Sequence, residues 1–257
     1  MRTPFALLLL LPLCSCLNPT MRVYAAYMDL APSGNVGLQD AAASQNVNGI
    51  RGDLDSEFNV GDANTPYVKL DYAIDSWDLE LSGFQFEDSG TSTSTATFGD
   101  IPAGTPIMSE LRISNVKLGV LTKVVDVGPV EVSAGMAFSY MDVDMDVASL
   151  VVLRAPDTMY EESNFQAPVP MLYVRGAVDT GVVRGELSLA WIEADIADVE
   201  GLFLDIDAMV VFSPVPALDI FAGYRFINMD VNGKLDGQQF TTHIELSGWY
   251  LGAGITF

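Results

Sequence analysis

Ten stretches of this chain alternate apolar and polar residues with period two, and the gaps between them switch regularly from longer to short. Side chains of a strand point to opposite faces in turn, so each stretch reads as a β-strand with one greasy face. The stretches are Arg22 to Leu30, Tyr67 to Asp75, Trp77 to Glu87, Glu110 to about Val124, Val130 to Met145, Ala167 to Asp179, Val182 to Glu193, Phe203 to Phe212, Leu218 to Asn228 and Ile244 to Phe257. A short extra strand is expected near Asn48 to Leu54. Short gaps carry turn residues, as at Asp75-Ser76, Gly128-Pro129, Thr180-Gly181 and Ser213 to Ala217. The longer gaps, including 31 to 66, 88 to 109, 146 to 166 and 229 to 243, read as loops. One strand alternates imperfectly, because Asn115 and Lys117 share a row with Leu111 and Ile113.

This spacing points to an all-β fold: a single antiparallel, transmembrane, up-and-down β-barrel of about ten strands, with eight or twelve as the alternatives. Apolar residues make up 49% of the chain, yet no segment after the amino terminus has the roughly 18 apolar residues of a spanning helix. Strands that show lipid only every second residue reconcile the two facts. In the last strand Trp249, Leu251, Ala253, Ile255 and Phe257 form one face, and Gly248, Tyr250, Gly252, Gly254 and Thr256 the other. The closing Phe257 resembles the terminal signature of bacterial outer-membrane barrels, which the assembly machinery of that membrane reads. The resemblance implies an outer-membrane location, contact with that membrane's lipid, short periplasmic turns and longer extracellular loops. Trp77, Tyr140, Trp191, Phe212, Trp249 and Phe257 stand at the ends of apolar rows and resemble interfacial girdles. A barrel this size has a narrow lumen, largely filled by side chains.

Residues 1 to 16 read as a secretion signal, with Arg2 before the apolar run Phe5 to Leu13. Leu13-Cys14-Ser15-Cys16 resembles a bacterial lipobox, which makes Cys16 the candidate for lipidation, although Cys14 departs from the usual pattern. The mature domain, 22 to 257, then holds no cysteine and no disulfide frame. A net charge of −22 argues against nucleic acid and against docking on an anionic membrane surface.

Polar rows facing inward would fill the lumen with a charge network in which Glu131, Arg175, Arg184, Glu186, Asp219 and Arg225 are the principal members. Lys69, Asp71, Asp78, Glu80, Asp205 and Asp207 share those rows. Such charges must pair or meet water, so they form either a structural plug or a constriction for small anions and polar solutes. Asp142, Asp144 and Asp146 share one face at the rim end of their strand, where a divalent cation could sit among their oxygens. An EF-hand would need Gly at 147 and Glu at 153, which are Val147 and Leu153.

Catalytic patterns fail one by one. Outer-membrane proteases of the omptin family are ten-stranded barrels that use rim aspartates with a histidine. The only histidine is His243, and Thr241 stands where that pattern needs Asp, so the resemblance ends at the strand count. Outer-membrane lipid deacylases use His-x-Ser, and residue 245 is Glu245. The chain has too few His and Cys for a zinc site, and no cofactor is expected. The expected function is a non-enzymatic outer-membrane barrel with a narrow, charged lumen, in a structural or interaction role or as a small-solute channel. The alternative is a periplasmic lipid- or ligand-binding lipoprotein whose lipocalin-like barrel turns its apolar rows inward.

Overall fold

A computed structural model describes residues 19–40, 52–95, 101–150, 160–196, 199–235 and 238–257. Eleven strands follow one another: β1 (Thr20–Asp40), β2 (Gly52–Asp53), β3 (Ala63–Ile74), β4 (Trp77–Thr93), β5 (Pro106–Val127), β6 (Val130–Ser149), β7 (Tyr160–Asp179), β8 (Val183–Ile196), β9 (Val199–Val215), β10 (Leu218–Leu235) and β11 (Gln238–Thr256). Each long strand pairs antiparallel with its neighbours in sequence, and β11 pairs back on β1 from Arg22↔Thr256 to Asp40↔Gln238. The two-residue β2 lies beside β1 and adds nothing to the circumference. The wall is therefore the expected closed, up-and-down barrel, in which no strand edge is left at the seam of the termini.

Four tight turns lie at the end where β1 begins and β11 finishes. Asp75 and Ala217 take positive φ there, as do Gly128 and Gly181, which two- and three-residue hairpin turns require. The signal segment 1 to 16, with Cys16, lies outside the described residues. So does most of the stretch expected to hold an extra strand, of which β2 is the described part.

At the opposite end the strands run further than their alternation suggested. β5 has 22 residues and β6 has 20, whereas a tilted strand crosses a membrane in roughly 9–11. Parts of the segments read as loops (31 to 40, 88 to 93, 146 to 149 and 229 to 235 among them) continue the wall as strand. The physical reason is a reversal of polarity along each strand. On β6 the outward row runs Val130, Met136, Phe138, Tyr140 and then turns to Asp142, Asp144 and Asp146. The inward row of the same strand runs Ser133, Ser139 and then Met141, Val143, Met145 and Val147, all buried. The period of two never breaks, but the greasy face changes sides.

The reversal occurs at one height around the barrel. On β5 the inward row passes from Leu111 and Ile113 to Asn115 and Lys117, and register sets Ile113 opposite Val143 and Asn115 opposite Met141. On β9 and β10 it lies between Phe203 and Asp205 and between Ile227 and Arg225, with Ile227 opposite Asp205. Outside the lower half, Leu79, Leu81, Val116, Leu118, Leu187, Val210, Trp249 and Leu251 are exposed. The lipocalin-like alternative needed these rows inside, and the structure turns them out. From Val130 to Tyr140, a rise of about 3.3 Å per residue at a tilt of about 40° gives roughly the 25 Å of an apolar membrane belt.

Candidate functional site: the lumen

Below the reversal the lumen is filled by charge. Lys69 on β3 and Arg225 on β10 are 2% and 1% exposed. Lys69 reaches across to Glu186 on β8 at 2.6 Å and to Glu80 on β4 at 3.3 Å. Arg225 grips both oxygens of Asp205, with Nε at 3.0 Å from one and Nη2 at 2.9 Å from the other, a forked geometry that lysine cannot supply. Lys117 on β5 shares Asp205 at 2.8 Å and approaches Glu80 at 3.6 Å, tying the two clusters together. Arg175 on β7 donates to Asp78 at 2.6 Å and lies 3.7 Å from Glu131.

Tyrosines complete the network. Tyr173 donates to Glu80 at 2.8 Å, while Tyr67 and Tyr250 both point their hydroxyls at Asp207, at 3.4 and 2.5 Å. Their rings meet at 5.2 Å with a tilt of 42°, and the Arg225 guanidinium lies over Tyr67 at 5.6 Å and Phe84 at 5.2 Å. Gly223 is required here, because a Cβ would strike the Tyr250 ring. Buried charges placed so deeply persist only when geometry and extra hydrogen bonds compensate their lost hydration.

The six residues singled out in the sequence are not one cluster. Arg175, Glu186 and Arg225 are buried in the plug. Arg184 bridges Glu186 at 3.2 Å and Asp179 at 3.5 Å, lower down. Glu131 sits near the turns beside Lys123 at 3.2 Å. Asp219 is held by the hydroxyls of Ser213 and Thr256, each at 2.6 Å. Arg22, Arg184, Asp179 and Asp219 line a recess of about 360 Å³ that forms the mouth on the terminus side. Lys117 and the three tyrosines escaped the sequence reading. For Lys117 the signal was present in the row it shares with Asn115, Leu111 and Ile113, which marks the reversal itself.

Above the reversal the same lumen is apolar. Met28, Leu30, Phe86, Ile107, Leu111, Ile113, Met145 and Val147 are almost wholly buried there. The segment after β2 folds into the top, burying Leu54, Phe58 and Val60. Glu57 anchors it by accepting from Ser94 Oγ at 3.2 Å and Thr95 N at 3.0 Å.

Asp142, Asp144 and Asp146 stand on the outer wall rather than around the mouth. Asn164 donates to Asp144, Tyr160 donates to Asp146 at 2.6 Å, and Arg112 lies 3.7 Å from Asp146. The Glu110 carboxylate beside Arg112 raises that guanidinium above its ordinary pKa. Among the described residues no three His, Cys, Asp or Glu side chains gather closely enough to hold a metal ion. His243 is also on the outer wall, 3.6 Å from Asp230 and 3.7 Å from Glu245. Phe257 closes the barrel through paired backbone bonds with Met21 at 2.8 and 3.2 Å.

No family model and no curated protein sequence matches the chain. Among solved structures it is similar to the outer membrane protease OmpT from Escherichia coli, at 7% identity with a TM-score of 0.58, covering 94% of this chain and 97% of that one. Weaker likenesses join it to Ail, the attachment invasion locus protein of Yersinia pestis (13% identity, TM-score 0.35, 93% and 98% covered). The Pseudomonas putida toluene transporter TodX is another (7%, 0.32, 93% and 89%). At 7% identity the likeness to the protease is one of fold alone. The chain is a transmembrane β-barrel of the bacterial outer-membrane type.

Proposed function

We propose that this chain is a sealed, non-enzymatic outer-membrane barrel whose role is structural or interactive. Its lower wall meets outer-membrane lipid, Phe257 presents the chain to the assembly machinery, and its upper wall forms an acidic collar outside. The observation that carries this reading is the plug: Lys69 and Arg225, almost wholly buried, are each tied to carboxylates from other strands. A solute crossing the lumen would have to part these pairs in a space of low dielectric, then pass an apolar core.

Conductance of the purified barrel in planar lipid bilayers tests the proposal. The expected record is a flat baseline under applied voltage. Steady, unitary current steps that vanish in a variant with a narrowed lumen would instead establish a small-solute channel.

A further inference from the structure

The lower wall is not covered alike on all sides. Where β3, β4 and β5 face outward, Val68, Leu79, Leu81, Val116 and Leu118 stand on it. Across β7 to β10 the outward rows carry Gly176, Gly185, Ala208 and Ala222 instead. These small residues leave an apolar recess of about 670 Å³ on the outside of the wall.

Register gives the recess its shape. Glu131 pairs with Ala177, Ala177 with Glu186, Glu186 with Met209 and Met209 with Gly223, one continuous ladder row across five strands. All five belong to inward rows, so the recess meets their backbone from outside. It is therefore a slot, floored by that row and edged by the outward residues on either side of it. Leu187, Tyr224 and Trp249 stand on its upper edge, and Val130, Val178 and Val210 on its lower edge. Residues two apart along a strand are roughly 7 Å from each other, which sets the width. The glycines open the slot further, since a Cβ at Gly176 or at Gly185 would meet nothing within 4 Å.

Ladder bonds run perpendicular to the strands, and the strands tilt, so the slot climbs the belt obliquely. It starts at Val130, beside the tight turn before β6, and ends at Trp249 on the upper girdle. From β6 to β11 it crosses five strand spacings, roughly 24 Å. It also curves, because five of the ten spacings around the closed wall are half its circumference.

Width and curvature together select the occupant. A spanning helix is about 10–12 Å across and straight, so it would ride over the slot and leave the curve. A second barrel related by a two-fold axis would set the slot against itself, hollow to hollow. A hydrocarbon chain is slim enough to lie between the edges and flexible enough to follow the wall. Seated there it meets wall atoms on three sides, where a chain against a filled wall meets them on one.

We propose that this slot is a binding site for one acyl chain of a membrane lipid. Such a site exists only if the lower wall faces lipid, as proposed above. Trp249, at its upper end, reports on what fills it.

The test replaces Trp77 and Trp191 by phenylalanine, which leaves Trp249 as the sole tryptophan. The barrel in detergent micelles is then titrated with a phosphatidylcholine that carries a dibrominated acyl chain, since bromine quenches tryptophan fluorescence on contact. Quenching should saturate at a low mole fraction of that lipid. Gly176→Leu with Gly185→Leu fills the slot at least three strands away from the reporter. The pair should raise the half-saturating mole fraction about tenfold, equivalent to about 1.4 kcal/mol. Leu118→Met, outside the slot, should leave it unchanged. Quenching that never saturates, or an unchanged curve in the glycine variant, would overturn the site. So would a dimer that the glycine variant loses, because it would assign the slot to a second copy. Failure of the membrane reading looks different: in lipid vesicles, aqueous iodide would then quench a sole tryptophan introduced by Leu187→Trp with Trp249→Phe. Heat-dependent gel mobility shows in each case that the variant has folded.

Discussion

The membrane half and the outer half of this barrel are the same sheet with opposite instructions. In the lower half Lys117 points inward and Leu118 outward; a few residues higher on the same strand Ile113 points inward and Arg112 outward. Register and period are identical in both halves, so geometry does not decide which face is greasy. The surroundings do: lipid outside forces the polar side chains inward, where they must pair, and water outside lets the apolar ones form an ordinary core. The stability of the lower half thus rests on charge matching, and that of the upper half on apolar packing. That difference can be broken by exchanging the two kinds of residue between heights.

The largest effect is expected from Ile113→Lys. The inward row of β5 already holds a lysine at Lys117, where Asp205 lies at 2.8 Å, but Ile113 is surrounded by apolar side chains. An ion buried without a partner costs several kcal/mol, enough to keep the barrel from closing. The measurement is the fraction of protein that shows the heat-dependent gel shift, and Ile113→Lys should abolish it. A normal folded fraction would mean the upper core is wet.

Lys69→Met probes the other half. It leaves Glu186 with Arg184 alone and strips one cation from Glu80 and Asp71. Removing one partner of a buried pair costs about 3–5 kcal/mol. Urea unfolding of the refolded barrel in lipid should show the loss, and adding Glu186→Gln should recover part of it, since the two sites are coupled. If the double variant loses the full summed cost of the two single changes, the pair is not the unit of stability.

These contrasts also explain what could be read from the chain beforehand. The ten long strands, their closure and the terminus-side turns were legible, because lipid outside makes the lower alternation strong and Asp75-Ser76 or Gly128-Pro129 punctuate it. The upper wall was not, because its outward rows are acidic and its inward rows mix Met and Val with Ser and Gly, so 146 to 149 or 229 to 235 look like loop. Arg175, Glu186 and Arg225 could be placed in the lumen by parity alone. Which carboxylate each one meets could not, since Lys69 to Glu186 and Lys117 to Asp205 join strands far apart in sequence. Asp219 shows the limit most plainly: it has the parity of the plug but lies at the mouth among hydroxyls.

The outward row of β8 carries both halves of the comparison on a single strand. Leu187 lies mid-belt, Trp191 marks its upper edge, and Glu193 stands just beyond. Leu187→Arg puts a charge into the hydrocarbon and should cost about 2–4 kcal/mol, seen as lowered membrane insertion. Glu193→Arg reverses a charge on the same row two positions above the girdle and should change stability by less than about 0.5 kcal/mol. The small effect is the sharper of the two. Leu187→Arg would harm almost any apolar surface, but a silent Glu193→Arg requires water at a height where the strand is still fully paired with β9 through Glu193↔Leu202. A cost at Glu193 comparable to that at Leu187 would place the belt higher than Trp191 and move the reversal of the wall inside the membrane.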